Sequence, residues 1–249
     1  MAVKFTYYGG MCVLVERSDG FKMLFDPYLT KNPQATVNPE LFYDVDMVFV
    51  THNANDHYGD ATEILAHSNA VLYSGSEVAV RAKEEGVDLP KSRKIGTCFG
   101  DERRIDDLTT VHTVLAVHHS KMEHGSEILY YAPAFGFVVQ VEPGITYYHA
   151  GDTQLYSDMK LLRELYKPNV MAVGISRIRP TVPCEMPPRE AALATSWVSP
   201  EVVIPTHYTP GSEDLNQFIQ YVRLNVPQVT VKDELNKTFA CEPFSVRDC

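Results

Sequence analysis

The sequence predicts a mixed α/β fold in which sheets and helices stack as layers, on three observations. Short runs rich in Val, Ile, Tyr and Phe recur along the 249 residues. One-sided helical stretches fall between and after them, and no Gly/Ser linker, charge block, low-complexity segment or short repeat divides the chain. Strands come first and helices lie between the later strands, an order that favours stacked layers over a purely parallel, doubly wound sheet. The expectation is a single domain, residues 1–249, with one core or two closely packed halves.

Taken in order, Val3 to Tyr8, Cys12 to Glu16, Met23 to Phe25, Met47 to Thr51, Ile128 to Tyr131 and Phe137 to Val141 have the length and the β-branched or aromatic content of strands. Helices are predicted over Ser76 to Glu85, closed by Gly86, then Ser157 to Tyr166, Pro187 to Val198 and Ser212 to Asn225. Ser157 is expected to cap its helix, whose Met159, Leu162 and Tyr166 share one face; Pro187 and Pro188 suit a first turn that needs no amide donor. The Pro-rich stretch Arg179 to Pro188 reads as a surface loop.

Composition excludes several classes of function. With 22 Lys and Arg against 32 Asp and Glu, the net charge of −10 argues against a basic nucleic-acid module, so no nucleic-acid partner is expected. Hydrophobic residues at 45% and charged residues at 22% are ordinary for a globular domain and argue against disorder. Apolar stretches such as Met47 to Val50 fall far short of the roughly 18 to 20 residues that span a bilayer, so no membrane partner is expected. Met1 to Thr6 enters an alternating strand pattern without the features of a secretory signal, so the mature chain is expected to start there. Cys12, Cys98, Cys184, Cys241 and Cys249 are scattered and odd in number, which argues against a disulfide framework and for a reducing, cytoplasmic compartment. The terminal Arg247-Asp248-Cys249 matches no common address or lipidation signal.

The chemistry lies in where the histidines fall. Met47 to Thr51 runs into His52-Asn53-Ala54-Asn55-Asp56-His57, and Val114 to Val117 into His118-His119. Thr146 to Tyr148 runs into His149-Ala150-Gly151-Asp152, and Val202 to Thr206 into His207. Each apolar run therefore ends where a chain leaves a sheet and can present side chains. Imidazole and carboxylate suit Zn, Fe or Mn without thiolate help, and together these groups would line one pocket. Any one of the histidines alone would more often be a surface or hydrogen-bonded core residue, the reading kept for His67, His112 and His124.

The ordered set resembles the metallo-β-lactamase fold superfamily, and within it the branch of small metal-dependent hydrolases that includes ascorbate-6-phosphate lactonase. The resemblance rests on Phe25-Asp26-Pro27-Tyr28-Leu29-Thr30; on Thr51 to Asp60 in place of a His-x-His-x-Asp-His-x-Gly-Asp motif; and on Ala116-Val117-His118. Further on, Tyr148 to Thr153 and Ile204-Pro205-Thr206-His207-Tyr208 continue it. It implies a four-layer αββα sandwich, an α/β (α+β) fold of two similar halves with metal at one edge. Carried over residue by residue, one metal position would use His52, position 54 and His118, the other Asp56, His57 and His207, with Asp152 bridging and Asp56 in a catalytic role. Asp26 would accept the second ring proton of a ligand imidazole, and His149 would stand behind the ligands. The implied activity is hydrolysis of a small ester, lactone or phosphorylated metabolite through metal-bound hydroxide. In keeping with this, the sequence has neither a Gly-x-Ser-x-Gly elbow nor a P-loop.

The sequence departs from that pattern at Ala54, where the motif has a histidine; a methyl group cannot coordinate metal, so the first position is impaired. Gly9-Gly10-Met11 replaces a Gly-His-Ser, and Gly174-Ile175-Ser176-Arg177-Ile178-Arg179 replaces a Gly-Asp-Asn-like loop. One divalent ion, Zn or else Mn or Fe, is the first expectation, since three protein ligands plus water suffice for catalytic zinc. Two ions are the alternative, with His119, Asn53, Asn55 or a water substituting at position 54. The partner expected is a small molecule, with His119, Arg177 and Tyr208 as substrate-binding candidates and Arg179 beside Arg177 as a possible anion contact. Relatives often assemble into symmetric oligomers, so a homo-oligomer is allowed. The rival readings are a catalytically inactive scaffold of the same fold, a phosphodiesterase or nuclease, and a mononuclear iron dioxygenase, ranked last because it would use the impaired position.

Overall fold

The computed structural model describes residues 2–124, 127–181 and 184–243, with residues 123 and 124 as backbone only. The side chain of His124 and the stretch Arg247-Asp248-Cys249 lie outside the described part. Numbered in chain order, one sheet contains β1 (Val3–Gly9), β2 (Cys12–Glu16), β3 (Lys22–Phe25), β4 (Met47–Val50), β5 (Val71–Ser74), β6 (Lys94–Gly96) and β14 (Thr238–Cys241). The other contains β7 (Glu102–Arg104), β8 (Thr110–His124), β9 (Glu127–Glu142), β10 (Ile145–His149), β11 (Val170–Gly174), β12 (Val202–Thr206) and β13 (Thr230–Val231). Helices α1 (Asn55–Tyr58), α2 (Ala61–His67) and α3 (Ser76–Glu84) follow strands of the first sheet. Helices α4 (Met159–Tyr166), α5 (Pro188–Val198) and α6 (Asp214–Asn225) follow strands of the second.

Both sheets have the same pairing pattern. In the order β14-β1-β2-β3-β4-β5-β6, the pairings as far as β3 are antiparallel and those beyond it parallel. The order β7-β8-β9-β10-β11-β12-β13 repeats this, turning parallel beyond β10. The two similar halves expected from the resemblance are therefore visible in the hydrogen bonding. The first sheet closes its pattern with β14, a strand from the far end of the chain.

Side-chain alternation makes the four layers. Phe49 on β4 points into a core shared by both sheets, with Phe5, Phe25 and Tyr73 from one and Phe137, Tyr147 and Ile204 from the other. Its neighbours Val48 and Val50 point the opposite way, against Tyr58, Ile64, Leu65 and Val78 of the helices. On the second sheet Tyr147 faces the shared core while Tyr148 packs outward with Met159, Ala191, Ala194 and Phe218. A central strand covered on both faces has no solvent face to alternate with, which explains why Met47 to Val50 reads as a continuous apolar run.

Several elements differ from expectation. Ile128 to Tyr131 and Phe137 to Val141 are parts of one 16-residue strand, β9, paired with the 15-residue β8. Ser157 does not cap α4; Asp158 holds the cap position without a capping bond, and the Ser157 hydroxyl donates to the Asp158 carboxylate instead. The helix over Ser212 to Asn225 begins only at Asp214. Pro187 and Pro188 do open α5 as expected. Helix α2, of seven residues, and strands β5 and β11, of four and five, go beyond the expected elements, because runs this short are ambiguous by periodicity alone.

Candidate metal centre

The parallel strands of both sheets deliver their carboxyl ends to one edge, the usual place for chemistry in such sheets. Strand β3 ends in Asp26, β4 in Thr51 and His52, β10 in His149 and then Asp152, and β12 in His207. Asp26 and His207 both adopt left-handed backbone, with φ of 42° and 50°. Non-glycine residues rarely do so, and the strain turns each side chain back towards the cluster. His207 is held there by its backbone N–H, which donates to the Gly10 carbonyl at 2.9 Å. Gly151, with φ of 62°, precedes Asp152, and a Cβ there would lie 2.8 Å from the Phe135 carbonyl, so glycine is required.

His118 reaches the cluster differently from the strand-end arrangement expected. It lies within a continuous β8, at a register shift between Leu115 and His119, so a bulge rather than a strand end aims it. The Val117 N–H donates to Thr153 Oγ1 at 2.8 Å, tying the bulge to the loop that carries Asp152. The His118 ring stands 4.9 Å from that of His52.

Behind these groups lies a fully bonded network. The Thr51 N–H donates to Asp26 Oδ1 and the Thr51 hydroxyl to Asp26 Oδ2, both at 2.8 Å. Asp26 Oδ2 also accepts from His57 Nδ1 at 2.8 Å and from His149 Nε2 at 3.0 Å, and the Tyr147 hydroxyl donates to His149 Nδ1 at 2.7 Å. Burial opposes charge on Asp26, but His57 and His149 overcome it and hold the carboxyl far below its ordinary value. With Nδ1 given to Asp26, His57 turns Nε2 outward, and loss of the Nε2 proton would free that nitrogen's lone pair for a cation. In the same way His52 Nδ1, 3.2 Å from Thr51 Oγ1, gives its proton to a hydroxyl whose own proton is committed to Asp26.

In front of the network is a set of buried atoms with no hydrogen-bond partner: His52 Nε2, His57 Nε2, Asp152 Oδ1, Glu185 Oε2 and both ring nitrogens of His207. Asp152 Oδ2 lies 3.2 Å from His57 Nε2 and 3.4 Å from His207 Nε2, and Asp56 Oδ2 lies 3.8 Å from His207 Nε2, all without hydrogen-bonding geometry. Burial opposes charge on Asp152, Asp56, His57 and His207 alike. It is outweighed, so the two carboxyls are held below and the two imidazoles above their ordinary values by one another. Burial and then repulsion from His57 push His52 well below its ordinary value, and burial pushes His118 down.

Orphaned buried lone pairs are rare because each is costly. Convergent imidazole and carboxylate atoms of this kind fit a divalent cation. Ligand atoms of His52, His57 and Asp152 lie within 4.8 Å of one another, as do those of His118, Asp152 and Glu185.

The cluster opens into a cavity of about 470 Å³ whose wall includes Ala54, Arg81, His119, Lys121 and Arg179. Of the substrate-binding candidates, His119 lies on this wall, stacked 4.9 Å from His118. Arg177 and Tyr208 do not line it; the Arg177 carbonyl accepts from Thr209, and Tyr208 is buried behind β12. Asn53 and Asn55 are committed elsewhere: Arg81 donates to both side-chain carbonyls, and the Asn53 amide donates to the Lys121 carbonyl.

Sequence reasoning missed Arg81, which packs its guanidinium 3.9 Å over the Tyr58 ring while fixing the loop around Ala54. It also missed Glu185. Burial and the Asp152 charge push that carboxyl up to about 7. One signal was available, since Glu185 is the only acidic residue between Arg177 and Pro188.

A two-sheet sandwich with a His and Asp cluster at its edge is a candidate metal centre, and the profile of the Beta-lactamase superfamily domain matches residues 22–208. A metal-dependent hydrolase of Methanopyrus kandleri is 38% identical over 220 residues, covering 87% of this chain and 90% of its own. One from Pyrococcus abyssi is 34% identical over 235 residues, covering 92% and 96%. The structure of Igni18, a metallo hydrolase from the archaeon Ignicoccus hospitalis, superposes with a TM-score of 0.79 at 30% identity, over 97% of this chain and 99% of that one. The chain belongs to the UPF0173 metal-dependent hydrolases of the β-lactamase superfamily. Among the described residues no helix is long and apolar enough to cross a membrane.

Proposed function

We propose that this hydrolase acts on a small ester, lactone or phosphorylated metabolite, at a centre in which Asp56, His57, Asp152 and His207 hold one divalent ion tightly. The observation that carries the reading is the set of buried, unpartnered atoms on His57, Asp152 and His207, with Asp56 beside them. Zinc is the proposed ion, with Mn or Fe suited to the same donors. A metal bound there supplies Lewis acidity and acidifies a water towards neutral pH. His52 and His118 are what remains of a second position, impaired by the alanine at position 54.

The chain's own groups then have distinct tasks. Asp26 holds the Nδ1 proton of His57, which fixes the tautomer and aims Nε2, and His149 and Tyr147 hold Asp26. Arg81 fixes the loop between β4 and α1, so that Asp56 and His57 leave it in a set direction. His119, Lys121 and Arg179 give one wall of the cavity donors for a carboxylate or phosphate oxygen. The lactone and phosphate substrates rest on the family resemblance and on these donors, and the net charge of −10 favours a small ligand over a nucleic acid.

Elemental analysis of protein purified without chelator or His-tag is the test, alongside Asp56→Ala/His57→Ala protein. At least one equivalent of metal per chain, one of which is lost in the variant, and turnover of a panel of lactones, esters and phosphodiesters are expected. A metal count unchanged in the variant would overturn the ligand assignment.

A further inference from the structure

We propose that Glu185 replaces the imidazole absent at position 54 and completes a second metal position with His118 and Asp152. The inference rests on the metal-centre reading above and assigns a ligand that the sequence motif does not contain. Glu185 comes from the loop between β11 and α5, on the opposite sheet from Ala54. Its side chain is 11% exposed, and Oε2 is fully buried with no hydrogen-bond partner. That oxygen lies 3.7 Å from His207 Nδ1, and its carboxylate offers an atom within 4.8 Å of ligand atoms on both His118 and Asp152.

A buried carboxylate oxygen without a donor, beside a second carboxylate and two imidazoles, is an arrangement that a cation stabilises and that its absence penalises. The other substitutes are engaged. Asn53 and Asn55 are bonded to Arg81, and His119 stacks on His118 and meets the Tyr131 ring edge to face. His52, with Nε2 unpartnered, stands beside His118 and remains available to the same ion. Carboxylate for imidazole keeps the donor set compatible with zinc and shifts it towards the harder manganese and iron. The first ion, on Asp56, His57 and His207 with Asp152 shared between the two positions, should therefore bind tightly and independently of Glu185. The second should depend on it.

Zinc titration with a chromophoric chelator, and metal counts per chain after desalting, test this on the wild type, Glu185→Gln, and Glu185→Gln/Ala54→His. Two equivalents are expected for the wild type and one for Glu185→Gln, whose second equivalent weakens by more than about 100-fold, beyond the usual effect of residues behind the ligands. The double variant should recover the second equivalent, because it restores an imidazole where the motif has one. Visible absorption of the Co(II)-loaded proteins gives a second readout, with the bands of the second ion lost and regained in step.

An unchanged Glu185→Gln titration overturns the proposal, as does a wild type that binds a single ion. Weakening of the first equivalent instead would make Glu185 a positioning partner of His207 Nδ1, and would also overturn it. A wild type that binds no zinc overturns the metal-centre reading as well, which separates the two failures. Matching far-UV circular dichroism and metal-free unfolding temperatures among the three proteins exclude misfolding as the cause.

Discussion

Two buried polar clusters lie back to back at one edge of this molecule, and they differ in completeness. Around Asp26, every group is answered: Thr51, His57 and His149 donate to the carboxylate, and Tyr147 closes the far side of His149. A few ångströms on, His52, Asp152, Glu185 and His207 bring equally buried atoms together and leave them unpartnered. The two share a residue, since His57 gives Nδ1 to the first cluster and Nε2 to the second. A closed network holds geometry at no further cost, whereas an open one is stable only with something to bind. The protein thus uses a finished polar cluster to aim an unfinished one.

The comparison can be broken most severely at Asp152, which belongs to both groups of candidate ligands. Asp152→Ala is expected to remove all bound metal and reduce hydrolysis to background, as read by metal analysis and by turnover in metal-supplemented buffer. Substitution in the closed cluster should act on two quantities at once. Asp26→Ala strands four buried donor groups on three residues, so the unfolding free energy should fall by about 3–5 kcal/mol in denaturant melts. Metal affinity should fall about 10–100-fold, because His57 loses the partner that fixes its tautomer.

A milder change sharpens the distinction. Tyr147→Phe removes one hydrogen bond at the back of the network and should cost about 1 kcal/mol of stability while leaving metal stoichiometry intact. Loss of metal in that variant would show the two clusters to be less separable than the bonding suggests.

The smallest effect is expected at the other end of β2, where Arg17 bonds Asp19 and Asp106. Hydrogen bonding to Arg17 lowers Asp19 to about 2, against about 3.9 for an unfolded Asp. A depressed carboxyl contributes fully above the unfolded value and loses its contribution as the pH falls through the folded one. Wild-type unfolding temperature should therefore drop between about pH 4 and pH 2 more steeply than that of Asp19→Asn. The difference should be slight, since Asp19 is half exposed.

The sequence by itself determined the layered α/β class, because strand and helix periodicities are local properties that survive without knowledge of neighbours. It also marked His52, Asp56, His57, His118, Asp152 and His207 as candidates, since a His or Asp that follows an apolar run is visible in one dimension. The role of Asp26 as a proton acceptor for a ring nitrogen was legible only through the family motif, and the bond to His57 matches it.

The tertiary structure decided what depends on contacts between stretches that are distant along the chain. His118 looked like a strand-end residue, yet β8 runs on, and only its pairing with β9 creates the bulge that aims the ring. Arg81 and Ala54 are far apart in sequence, and only the packing of α3 brings the guanidinium to the loop. Glu185 sits in a Pro-rich stretch that reads as a surface loop, and it comes beside His207 because β11 and β12, whose carboxyl ends carry the two, are paired in parallel. Ligand chemistry is carried by residue type and local spacing. Which lone pairs end up facing one another is set by long-range packing, which no single stretch of the chain encodes.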